Sequence, residues 1–75
     1  MVTVLRRYGM RFVIYLDDHE PAHVHVSGDG EARIDIKNLK TLSRWRMSDR
    51  DIHRAEAVIE ENRQLLLDKW RQYHV

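Results

Sequence analysis

From Glu31 to Lys37 apolar and polar residues alternate without a fault. Ala32, Ile34 and Ile36 fall on one side, and Arg33, Asp35 and Lys37 on the other. A period of two marks a strand with one buried face. Weaker alternation over Val2 to Arg6 and a β-rich run from Arg11 to Leu16 predict two earlier strands, joined by a turn at 7–10. Asp17 to Pro21 reads as a loop and Ala22 to Val26 as a third strand. Ser27-Gly28-Asp29-Gly30 is a hairpin turn leading into the fourth.

After Ser48 the period changes. Ile52, Ala55, Ile59, Leu66, Trp70 and Tyr73 recur at helical steps, joined by Val58 and Leu65, with polar Asn62 inside the stripe. Ser48-Asp49-Arg50-Asp51 is a variant capping box, and its acids suit a helix N-terminus. Without Gly or Pro to stop it, one helix of about 26 residues, about 39 Å long, is expected. Its last turns would overhang the domain and be free to meet a partner. Between strand and helix, residues 38–47 give no clear period. Leu39, Leu42, Trp45 and Met47 are anchors of either a short strand or an irregular crossing.

The expected fold is therefore α+β: a small antiparallel meander of about four strands packed against one long C-terminal helix. It forms a single domain over 1–75, with the sheet at about 2–37, a connection at 38–47 and the helix at 48–73. A chain of 75 residues has a modest core, so a site would be shallow or shared with a partner.

Composition narrows the chemistry. There are no cysteines, hence no disulfides and no thiolate ligands. No apolar run suits a signal peptide or a spanning helix, so a cytoplasmic protein without membrane attachment is expected. Net charge is only +1, yet Arg33, Lys37, Lys40, Arg44, Arg46 and Arg50 stand against Asp35 and Asp49 alone. This basic stretch is either a solvated connection or a contact for the phosphates of RNA or DNA.

Three of the five histidines lie in His19-Glu20-Pro21-Ala22-His23-Val24-His25. The first five residues spell H-E-x-x-H, which in zinc proteases works on a helix. Pro21 and the period-two His-Val-His-Val exclude that geometry. The segment is a loop entering a strand, with His23 and His25 on one face and Val24 and Val26 on the other. If the valines share the face of Ala32 and Ile34, a three-residue loop at Gly28-Asp29-Gly30 sets His25 opposite Arg33 and His23 opposite Asp35.

Several readings of that face stay open. His23 and His25 with His19 or an acid could hold zinc or a similar divalent ion, with Asp35 orienting His23. Alternatively His23 and Asp35 form a positioned base, His25 and His19 assist, and Arg33, Arg44 and Arg46 hold a phosphate. The histidines could also merely decorate a wet strand face, or belong to a protein interface or homodimer. Trp45 between two arginines suits stacking on a base, though both tryptophans also suit a core. Tyr8 and Tyr15 suit either the flanks of the histidine face or plain strand packing.

The strand Thr3-Val4-Leu5-Arg6, the run from Asp18 through His19-Glu20-Pro21-Ala22-His23-Val24-His25-Val26, Gly28-Asp29-Gly30-Glu31-Ala32 and the late Glu61-Asn62-Arg63, Leu66 and Trp70 together resemble the small bacterial family called domain of unknown function 4160. Many members carry a second proline where this chain has Ala22. The resemblance implies a two-gene operon shared with a protein similar to domain of unknown function 2442. Such pairs have been proposed as toxin–antitoxin modules, this family being the toxin. The resemblance transfers no active site. The leading expectation is a toxin acting on RNA or another phosphate-bearing target through its histidine face. The alternatives are a non-catalytic protein-binding module, as antitoxin or adaptor, and a metal-binding accessory protein.

Overall fold

The computed structural model describes residues 2–74. Among them are five strands, β1 (Val2–Arg7), β2 (Met10–Ile14), β3 (His23–Ser27), β4 (Glu31–Asp35) and β5 (Thr41–Trp45), followed by helices α1 (Asp49–Glu61) and α2 (Arg63–Tyr73). The strands form one sheet in the order β1-β2-β3-β4-β5, every neighbouring pair antiparallel. The architecture is the expected α+β meander with helical cover, but with five strands rather than four and a divided helix rather than one.

The fifth strand occupies the segment without a clear period. Arg33 pairs with Ser43 but its neighbour Ile34 pairs with Thr41, so Leu42 is an extra residue in β5. Such a bulge breaks the alternation that would have announced a strand. Leu39 and Arg46, both at positive φ, bend the chain at either end.

The long helix is interrupted at Asn62, which has φ −117° and ψ 22°. Its Nδ2 donates to the Val58 carbonyl at 2.8 Å. An asparagine that bonds its own preceding turn competes with the helical ladder. At the start of α1, the Ser48 Oγ accepts the Asp51 backbone N–H at 3.1 Å, as the capping sequence requires. Ser48→Ala is expected to cost about 1 kcal/mol, measurable as a lower urea midpoint at unchanged slope.

The core lies between one sheet face and the helices. Phe12, Ile14, Val24, Val26 and Ile34 meet Ile52, Ala55, Val58, Ile59 and Leu66, and all are buried. Leu65, expected in the stripe, points outward. The last turns do not overhang. Trp70 is buried, and a His74 ring nitrogen lies 3.1 Å from the Tyr15 carbonyl. Among the described residues no helix is long and apolar enough to cross a membrane.

Two turns position the site. Tyr8 and Gly9, both at positive φ, make a two-residue hairpin between Arg7 and Met10. Gly28 to Gly30 closes the β3–β4 hairpin, where the Gly28 N–H donates to the Gly30 carbonyl at 2.9 Å. The register that follows is the one parity demands: His23 opposite Asp35, Val24 opposite Ile34, and His25 opposite Arg33.

Candidate functional site: a histidine–aspartate cluster on the open sheet face

Period-two geometry sends Val24 and Val26 into the core and turns His23, His25 and Ser27 to the face away from it. Cross-strand pairing extends that face in rows. One row runs Val13, His25, Arg33, Ser43, and the next runs Arg11, Ser27, Glu31, Trp45.

His23 sits on this face without being wet. It is 4% exposed. The Trp70 ring lies 5.4 Å from its ring, and the His25 ring 5.2 Å away. Trp70 is itself held, its Nε1–H donating to Glu20 Oε1 at 3.3 Å and its ring stacked on His74 at 3.8 Å. The far end of α2 thus caps the loop that feeds β3. The Glu20–Pro21 peptide within that loop is cis.

The loop also delivers Asp18. Its Oδ2 lies 2.8 Å from His25 Nε2 and 3.3 Å from His23 Nε2. The first contact is a hydrogen bond. The second lacks the alignment of one, and His23 Nε2 is a buried nitrogen with no hydrogen-bond partner among the described residues. The other ring nitrogen of His23, Nδ1, is 2.7 Å from the Pro21 carbonyl. A carbonyl only accepts, so Nδ1 carries the proton and a neutral ring turns the Nε2 lone pair toward Asp18 and His25. A buried acceptor left unpaired costs about 1–3 kcal/mol. Tyr15 meets His25 edge-on at 4.4 Å.

The structure brings together His23 and His25, but with Asp18 rather than His19, which is exposed in the loop. Asp35 stands opposite His23, yet its carboxylate serves the following turn. Oδ1 accepts the backbone N–H groups of Lys37 and Asn38 at 2.8 and 2.9 Å, and Oδ2 accepts Asn38 Nδ2. The orienting group for His23 is the Pro21 carbonyl instead.

Of the three expected phosphate ligands, Arg33 and Arg44 line one cavity and Arg46 stands outside it. Arg33 is exposed beside His25, its Nε donating to Ser43 Oγ at 2.9 Å. Arg44 is engaged with the entry to α1, through the Met47 carbonyl at 2.7 Å and Asp49 at 2.7 Å. The Arg46 guanidinium lies 4.9 Å above the Trp45 ring. Arg11 joins Arg33 on the open face. The parity that placed His25 would have found it, because Arg11 and Val13 alternate with buried Phe12 and Ile14. Tyr8 is remote from the cluster and lies under Arg54 instead. Arg11, Tyr15, His25, Arg33, Ser43 and Trp45 all line one shallow cavity of about 370 Å³.

Comparison with known proteins agrees with the motif. No curated protein and no solved structure matches significantly. The profile of the family described as "Domain of unknown function (DUF4160)" matches residues 9–71, a span holding the whole histidine loop, strands β2–β5 and most of the helical cover. The chain belongs to this DUF4160 family.

Proposed function

We propose that the protein acts on RNA, as the toxin of a two-gene toxin–antitoxin operon whose other product is similar to the DUF2442 family. The observation that carries this reading is the cavity on the open sheet face. It joins three arginines, Arg11, Arg33 and Arg44, two serine hydroxyls, Ser27 and Ser43, an imidazole, His25, and an exposed indole, Trp45, with Glu31 as the one acid on its wall. Arginines hold phosphates, and an exposed aromatic ring offers a stacking surface to any base. Two strand steps across and two residues along separate His25 from Trp45, roughly 12 Å. That is room for a short stretch of single strand, with a base on Trp45 and a phosphate on Arg33. The Asp18–His23–His25 cluster then stands at the reactive end.

A fluorescently labelled single-stranded RNA tests the reading by anisotropy. Trp45→Ala is expected to weaken binding about 10-fold, in keeping with stacking worth about 1–3 kcal/mol per base. Arg33→Ala is expected to weaken it and to lower the salt-dependence slope by about one. Affinity and salt slope unchanged in the folded double variant would remove the RNA reading. In cells, expression is expected to arrest growth, and co-expression of the DUF2442-like neighbour to relieve it.

A further inference from the structure

We infer that Asp18, His23 and His25 form a mononuclear site for a first-row divalent transition metal, zinc being the probe of choice. The inference rests on the cluster's own geometry and not on the RNA reading. One ligand atom from each residue lies within 4.8 Å of the other two. Ligands about 2.0–2.1 Å from a tetrahedral ion sit about 3.3 Å apart. The His23 Nε2 to Asp18 Oδ2 distance is already 3.3 Å. The His25 Nε2 to Asp18 Oδ2 hydrogen bond, at 2.8 Å, would open by half an ångström or so as the metal replaces its proton.

The decisive atom is His23 Nε2. Its ring is nearly sealed from solvent beside Trp70, its lone pair faces the cluster, and no hydrogen-bond donor among the described residues satisfies it. The Pro21 carbonyl fixes the tautomer by accepting a hydrogen bond from Nδ1–H. A carbonyl on the far nitrogen is how metal-binding histidines are commonly oriented. Two imidazoles and one carboxylate disfavour magnesium and calcium, which prefer all-oxygen ligands, and suit zinc, iron or their neighbours. Three protein ligands leave a fourth position open, as in catalytic sites. His25, which also lines the open-face cavity, joins the two.

The test uses tag-free full-length chain, stripped with chelator and titrated with Zn²⁺ by calorimetry and with Co²⁺ by visible absorption. One ion per chain is expected, with the intense cobalt bands of a four- or five-coordinate site. Asp18→Asn and His25→Asn, both at partly exposed positions and checked for native circular dichroism, are expected to weaken binding at least about 100-fold. His19→Ala is expected to leave it unchanged. Absence of saturable binding to the folded parent chain would overturn the inference. So would binding that survives both Asp18→Asn and His25→Asn, or that His19→Ala abolishes. No nucleic acid enters this measurement, and RNA binding through Arg33 and Trp45 is expected to persist in chelator. The two readings therefore fail separately.

Discussion

Replacing Trp70 with alanine is expected to lower the melting temperature by about 15–30 °C, which leaves the chain close to unfolded at body temperature. The indole is 4% exposed and packs on His23 and His74 while bonding Glu20. Truncating a buried tryptophan costs about 3–5 kcal/mol. A domain of this size holds only about 4–11 kcal/mol in total. Thermal unfolding followed by circular dichroism measures the effect. Trp70→Phe keeps most of the ring packing, loses only the bond to Glu20, and is expected to fall by less than half as much. A shift below about 5 °C for Trp70→Ala, near 1 kcal/mol, would mean that the end of α2 does not hold the histidine loop in place.

The second large effect is expected at Gly30. A Cβ there would collide with the carbonyl of Arg46 and come within 2.6 Å of the Met47 nitrogen. Both are backbone, so neither can swing aside. The tip of the β3–β4 hairpin is pressed against the chain where β5 gives way to α1, and only glycine fits. Gly30→Ala is expected to cost about 3 kcal/mol as an overpacked site. Gly9→Ala is the contrasting control. Gly9 has φ +72° but nothing within 4 Å of the added carbon, so only the backbone preference is lost, about 1 kcal/mol. Equal midpoints for the two variants in urea would refute the crowding argument.

The first four strands and the start of the helical segment were legible because period and turn chemistry agree there. Alternation over Glu31 to Lys37, with the glycines before it, was enough to set His25 against Arg33 to the residue. What stayed hidden has local causes. The extra Leu42 erased the alternation of β5. The break in the helix falls at Asn62, whose side-chain amide bonds the Val58 carbonyl, a contact no hydrophobic pattern records. In the candidate site, parity chose His23 and His25, since strand geometry is rigid. It had no purchase on residues 17–21, where three acids and a histidine compete and only the path of the loop selects Asp18. Asp35 misled for a related reason. Register brought it opposite His23, but the N–H groups of Lys37 and Asn38 lie closer along its own chain.

Each strand pairs with the next one in sequence. Such a sheet closes only short loops as it forms, the condition for fast assembly. The contacts that seat the end of α2 are of another kind, spanning 50 residues from Trp70 to Glu20 and 59 from His74 to Tyr15. They close only when α2 meets the loop that feeds β3. Asp18, His23 and His25 are carried by the sheet and its loop, whereas the indole that seals them is carried by α2. Detachment of the end of α2 alone would uncover His23 Nε2 and leave the strand register intact, so a route to that nitrogen needs only local opening and not unfolding of the sheet.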